Sequence, residues 1–203
     1  LVERELWIAR DTTVARAVWM SLDDQPSERI RTQAADAADG DSYVDAAEQV
    51  TIKDTVFYEN LRTDGREYTV EGVLMLKSEN KPLLDAEGNP VTASRAFKPT
   101  ASSGTVELEF TFDASLLAGE TVVVFEDLLQ DGKLVATHAD INDEGQSVKV
   151  VRIRTTATNE TGGKTVTGTD VAIVDEVAYE GLTPGETYTL KATLMDAETG
   201  KPV

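Results

Sequence analysis

Residues 122–146, VVVFEDLLQDGKLVATHADINDEGQ, decide how the chain folds and what chemistry it can carry. The stretch starts as a β-run of Val122, Val123, Val124 and Phe125 that ends on Glu126. It crosses a glycine-containing turn at Asp131-Gly132 and returns along a second apolar run, residues 134–137, to His138, the only histidine of the chain. Asp140 follows, and Gln146 stands eight positions after the histidine. A buried glutamate, a single histidine and a carboxamide held on neighbouring strands could perform acyl transfer.

Outward from this stretch the same β character continues. Ile30, Thr32 and Ala34 alternate with Arg31 and Gln33, the period of two of a half-buried strand. Residues 35–45 read as a polar loop containing Gly40. Residues 50–58 and 68–76 read as strands on either side of a turn through Asn60, Asp64 and Gly65. Further strands are predicted over 106–112, 122–125, 134–137 and 147–151. Short strands with turns at this spacing predict an all-β protein of Ig-like β-sandwich domains. Residues 1–20 mix Trp7, Ile8, Val14, Val18 and Trp19 with charges and have no clean period, so a short helix, a strand pair or the end of a preceding domain all fit. Residues 21–27 form a polar connector closed by Pro26.

An internal repeat sets the domain organisation. IRTQAADAADGD at Ile30 recurs as IRTTATNETGGK at Ile153, and IKDTVFYENL at Ile52 recurs as IVDEVAYEGL at Ile173. DGREYTVEGVLM recurs as PGETYTLKATLM. The offset is 123 positions from Thr32 to Thr155 and 121 from Asp54 to Asp175. Three blocks at a nearly constant offset are a tandem array. Residues 30–151 are expected to form a complete domain, and residues 152–203 the first half of a second. Residues 1–29 are left as a segment of unknown fold. Six residues separate Gln146 from Ile153. With no Gly/Ser-rich or Pro-rich linker there, a stiff rod is favoured over independently tumbling beads.

Composition narrows the function. The chain has 203 residues, enough to bury a sizeable core, and a formal net charge of -18. That charge argues against nucleic acid or an anionic membrane as partner, since both need basic patches. No apolar run approaches the ~20 residues of a membrane helix, and no signal sequence stands at the start. The chain opens on Leu1 with no initiator methionine, as a fragment or processed piece would. Cysteine is absent, so disulfides and thiol chemistry are excluded.

Each candidate site residue also has a plain structural reading. Thr32 is a good strand former, Asp54 could end a strand or bind a turn, and Glu126 could be a strand-end surface charge. His138 could be a satisfied surface histidine, and Gln146 is unremarkable on its face. Against that, Asp54 shares a face with Ile52 and Val56, and Glu126 follows four apolar residues, so both are expected to point inward. Burial would raise their pKa and make a carboxyl an acid, while His138 could shuttle protons near neutral pH. The acidic run 140–144 suggests calcium but lacks the twelve-residue EF-hand pattern. No GxSxG elbow or multi-histidine metal cluster marks a hydrolase, and no cofactor or metal is expected.

Taken together, VVVFED, HADINDEGQSV and the paired IRTQA and IKDTVFYENL segments resemble the VaFE-repeat, or Thr–Gln ester-bond, domains that build the shafts of Gram-positive surface adhesins. The resemblance covers 30–151 fully and 153–203 in part. It implies that Thr32 attacks Gln146 to form an intramolecular ester with loss of ammonia, assisted by Asp54, Glu126 and His138. It makes Thr155 and Asp175 the second-repeat equivalents, whose Glu, His and Gln partners are missing within this chain. The expected function is a stalk module of an extracellular, cell-wall-anchored adhesin, with self-processing in place of enzymatic turnover. Its expected partners are neighbouring repeats of the same polypeptide, a host ligand being bound by another domain. The other reading left open is a β-sandwich binding module recognising a host glycan or protein without a crosslink.

Overall fold

The structure, a computed structural model, describes residues 27–203; residues 1–26, most of the connector and of the N-terminal segment considered above, lie outside them. Among the described residues eleven strands and no helix are present: β1 (Arg29–Asp36), β2 (Tyr43–Asp45), β3 (Val50–Glu59), β4 (Tyr68–Leu76), β5 (Lys81–Pro82), β6 (Thr92–Phe97), β7 (Gly104–Phe112), β8 (Thr121–Gln130), β9 (Lys133–His138), β10 (Ser147–Asn159) and β11 (Ile173–Glu180). With no helix described, none is long and apolar enough to cross a membrane.

Period-two alternation places one face of each long strand in the core. Ile30, Thr32 and Ala34 of β1 point inward, as do Ile52, Asp54, Val56 and Tyr58 of β3 and Val106, Leu108, Phe110 and Phe112 of β7. These strands form one antiparallel sheet in the order β1-β3-β7. The facing sheet is centred on β8, which pairs with β4 along one edge. Its other edge is shared: β10 pairs with Thr121–Val123, and β9 with Glu126–Gln130. β5 and β6 extend the sheet beyond β4. Tyr68, Phe110, Ile52, Leu74 and Leu128 are the bulkiest apolar side chains of the closed core between the sheets. This is an Ig-like β-sandwich.

Three expectations need correction. Residues 35–45 are not all loop: Tyr43–Asp45 forms β2, parallel to β10 through Val44↔Val150. The apolar run at 122–125 is the start of a ten-residue strand reaching Gln130. The strand expected over 147–151 does not stop there. Gln146 lies just before β10, and β10 runs unbroken from Ser147 to Asn159, so the last strand of the first unit is also the first strand of the second. Its later half pairs with β11 as Thr155↔Val177 and Ala157↔Asp175. The first unit has the same register in Thr32↔Val56 and Ala34↔Asp54.

The second unit leans on the end of the first. Gly181 (φ 86) lies so close to Val150 O and Gly119 that a side chain there would collide with backbone. Arg152 pairs with Glu180 at 3.2 Å and donates to Ser115 O. Lys149 Nζ donates to Thr183 Oγ1 at 2.5 Å, and the Tyr43 and Tyr188 hydroxyls lie 3.2 Å apart. On β11, Asp175 and Tyr179 occupy the positions that Asp54 and Tyr58 hold in β3, yet both are exposed, as is Thr155.

Candidate functional site

Thr32, Asp54, Glu126 and Gln146 are the buried polar side chains of the described residues, at 7%, 0%, 1% and 0% exposure. The fold brings all four into one place, and His138 with them. Thr32 and Asp54 lie on the inner face of the three-stranded sheet, diagonal across β1 and β3 because Thr32 faces Val56. Glu126 faces them from β8. The β8–β9 hairpin carries His138 to the position opposite Glu126 in register. A two-residue turn starts that pairing: Asp131 (φ 50) and Gly132 (φ 73) are both left-handed, the geometry that matches strand twist and favours Asp-Gly. A register shift between Leu128 and Leu129 then brings His138 in place of Thr137 opposite Glu126. The loop 139–146 then joins β9 to β10, which both pair with β8. Gly145 O accepts from Ala34 N at 2.8 Å, tying the Gln146 end of the loop to the strand bearing Thr32.

The apolar cover is built by the same alternation. Val124 and Leu128 flank Glu126 on β8, while Ile52 and Val56 flank Asp54 on β3; all are fully buried. Gly72 lies opposite Glu126 on β4. A β-carbon there would come within 2.6 Å of Phe110 Cζ and 2.9 Å of Leu108 Cδ1, so the missing side chain is what admits the Phe110 ring.

The carboxamide of Gln146 is held in one orientation. Its Nε2 donates to Val124 O at 2.6 Å, Glu126 Oε2 at 2.9 Å and His138 O at 2.9 Å, and its Oε1 accepts from Asp140 N at 3.3 Å. The nitrogen therefore faces an acid and the oxygen faces a backbone donor. Thr32 Oγ1 lies 3.5 Å from His138 Nδ1. His138 Nε2 lies 3.2 Å from Asp143 Oδ2, which assigns the proton to Nε2 and leaves the Nδ1 lone pair toward the threonine. Asp143 is itself fixed, since its Oδ1 accepts from Gly145 N at 2.7 Å.

Asp54 Oδ1 and Oδ2 and Glu126 Oε1 are buried with no donor to satisfy them. Two carboxylates in that position would repel, whereas a carboxyl and a carboxylate can share one proton. Burial raises both pKa values, Asp54 to about 6 and Glu126 to about 10. Glu126 is raised further because the Asp54 charge beside it adds to the desolvation. The shared proton thus belongs to Glu126 and is donated toward Asp54, which leaves Glu126 Oε2 to accept from Gln146. Glu126 is an acid at neutral pH.

Asp143 and the Asp140 N–H escaped the sequence reading, which took run 140–144 only as a possible cation loop. In the structure Asp140 Oδ1 accepts from Asn142 N and Asp143 engages His138 and Gly145. Among the described residues no group of three or more His, Asp or Glu side chains is gathered for a metal ion. Thr155 and Asp175 stand in the matching register of the second unit, and among the described residues no set of glutamate, histidine and glutamine is gathered around them.

The family described as T-Q ester bond containing domain matches residues 28–150 and again residues 151–203. No curated protein matches the chain. Among solved structures the chain is similar to a bacterial adhesin from Mobiluncus mulieris containing intramolecular disulfide, isopeptide and ester bond cross-links. The identity is 18% and the TM-score 0.50, over 77% of this chain and 77% of that one. It is also similar to a putative beta-galactosidase from Bacteroides fragilis at 18% identity and a TM-score of 0.41, over 56% of this chain and 17% of that one.

Proposed function

Because the chain belongs to the family of T-Q ester bond containing domains, matched along both of its units, we propose that Thr32 and Gln146 react once per molecule to form an internal ester that braces a surface stalk. The observation that carries this reading is the buried Gln146 carboxamide, whose nitrogen sits on Glu126, the same carboxyl that His138 approaches beside Thr32.

A threonine hydroxyl is a weak nucleophile and an amide a weak electrophile, so both need help. His138 Nδ1 takes the proton of Thr32 Oγ1 while Asp143 holds the ring and offsets its growing charge. Oγ1 adds to Cδ of Gln146, and the negative charge on Oε1 falls on the Asp140 N–H. The Glu126 proton moves across to Asp54 as Oε2 takes the proton held by His138, 3.7 Å away, and passes it to the departing nitrogen; Asp54 then hands its proton back. The net change is one ester formed and one ammonia released, with the threonine proton ending on the ammonia. Asp54 keeps Glu126 protonated until it is needed and acts through that residue. The buried setting protects the ester from water.

The adhesin from Mobiluncus mulieris, named for its ester bond cross-links, supports a role in an extracellular adhesin, with anchoring to a Gram-positive cell wall as its finer form. The crosslink would join residues 114 positions apart (146 minus 32), so tension entering at β1 and leaving at β10 would pass through it. Thr155 and Asp175 are the corresponding half of a second site. Neighbouring repeats are the partners of this module, and the host ligand belongs to another domain. The test is intact mass under denaturing conditions beside Thr32→Ala: the wild type should lie about 17 Da below its calculated mass through loss of ammonia, and the variant should match its own. A wild type at full mass while folded would overturn the proposal.

A further inference from the structure

The amide nitrogen of Gln146 carries two hydrogens, yet three acceptors converge on it, at 2.6, 2.9 and 2.9 Å. One acceptor is always in excess. The surroundings add more: with one proton shared between Glu126 and Asp54, Asp54 still keeps a buried carboxylate oxygen beyond the one that takes that proton. Ammonia has three hydrogens and a pyramidal shape, and ammonium has four, so the leaving group satisfies this subsite better than the amide does. That mismatch favours the reaction, because hydrogen bonding improves as the nitrogen becomes tetrahedral and departs.

We propose that the same subsite remains an ammonia-binding site in the crosslinked protein, and that ammonia bound there reopens the ester by ammonolysis. The inference rests on the Thr32–Gln146 reading. An entering ammonium ion would leave one proton on the Asp54–Glu126 pair. The ammonia lone pair would then add to Cδ, and Oε1 would take the negative charge beside the Asp140 N–H. The Cδ–Oγ1 bond breaks, its electron pair stays on Oγ1, and His138 returns a proton to that oxygen. The nitrogen gives one hydrogen to the protein as the amide forms. One ester and one ammonia become one amide and one hydroxyl. Amide plus alcohol lies below ester plus ammonia, so crosslinking is drawn forward by escape of ammonia, and ammonium outside pushes it back.

The subsite is also selective. Of the four directions around the nitrogen, one leads to Cδ and three to acceptors, with Val124, Glu126 and Gln146 shut off from solvent. A methyl group on the nitrogen would displace one acceptor and leave it unpaired, so methylamine should react slower by about tenfold or more.

The experiment uses the full chain, first shown to carry the mass deficit, incubated with ammonium chloride enriched in heavy nitrogen at mildly alkaline pH. Heavy nitrogen should appear in the side-chain amide of Gln146, with a rate that saturates as ammonium rises, and methylamine should lag well behind. A deficit that persists without label, or a crosslink opened by water to give glutamate at position 146, overturns this inference alone. Methylamine reacting as fast as ammonia overturns the fitted subsite. A starting mass with no deficit overturns the crosslink reading and this inference with it.

Discussion

Removing the threonine hydroxyl while keeping its shape is the sharpest test of what the crosslink does for the fold. Thr32→Val retains the branched side chain that packs at the inner face of β1 and loses only Oγ1, which lies 3.5 Å from His138 Nδ1 and interacts with the Asp54 and Glu126 carboxyls. The variant cannot form the ester. Its cost is then mainly the freedom regained by the unfolded chain. For a loop of 114 residues (146 minus 32), the crosslink-entropy relation gives about 5 kcal/mol. The first unit, residues 28–150, unfolds with about 0.26 kcal/mol/K of entropy at the per-residue average, so the midpoint should fall by about 15–20 °C. Calorimetry is the appropriate assay, because it follows the unfolding of the sandwich without a spectroscopic probe. Intact mass on the same samples fixes the crosslinked fraction. If a fully crosslinked wild type and Thr32→Val melt within about 5 °C of each other, the reasoning fails: the unfolded chain would not be constrained as the loop length demands.

Other outcomes follow from the same geometry. Asp143→Asn should leave the fold intact and slow ester formation by about 10²–10⁴-fold in an intact-mass time course of freshly refolded protein; a rate equal to wild type would remove Asp143 from the relay. In Thr32→Val, the raised pKa values of Asp54 (about 6) and Glu126 (about 10) stabilise the fold fully below the unfolded carboxyl range. That contribution is lost as pH climbs through the folded values, by about 1.4 kcal/mol per pH unit for each group still held protonated. Urea midpoints should therefore drop from pH 5 to pH 8, and adding Glu126→Gln should flatten the trend. Equal slopes in the two proteins would show that Glu126 does not hold the proton. Gly72→Ala should displace the Phe110 ring and destabilise by about 1–3 kcal/mol, read from urea unfolding; an unchanged midpoint would mean the ring does not depend on that gap. Gly181→Ala should loosen the second unit against the first, seen as faster proteolysis of the 181–188 loop with the mass deficit unchanged. Unaltered proteolysis would deny the close approach to Val150 a role in docking.

The sequence spoke most clearly where burial is one-sided. Ile30, Thr32 and Ala34 alternate with charged or polar neighbours, and β3, β4 and β7 do likewise, so their inward faces could be read directly. Short or peripheral strands left little trace. β2 buries only Val44, and β6, TASRAF, has no fully buried residue because it lies at the rim of its sheet. The unbroken β10 was hidden by the repeat itself: similarity restarting at Ile153 suggests a boundary, while backbone pairing passes straight across it. Within the site, the inward aim of Asp54 and Glu126 follows from their apolar neighbours, yet nothing local says that they meet. Asp143 was the least visible. Five positions after His138, in a loop of turns, its distance to the ring depends on how that loop closes between β9 and β10, and spacing does not carry such information.

The shared strand has a consequence in time. A chain made from its N-terminus completes its first sandwich only when Ser147 to Val151 arrive beside β8 and β2. The remainder of β10 is then already extended, with Thr155 fixed in register before its own partner has been made. β11 adds to a prepared template, and the second unit needs no nucleus of its own. Phase passes along the strand as well. One residue inserted between Val151 and Arg152 would turn Thr155 to the opposite face, and the second unit would inherit the half-turn.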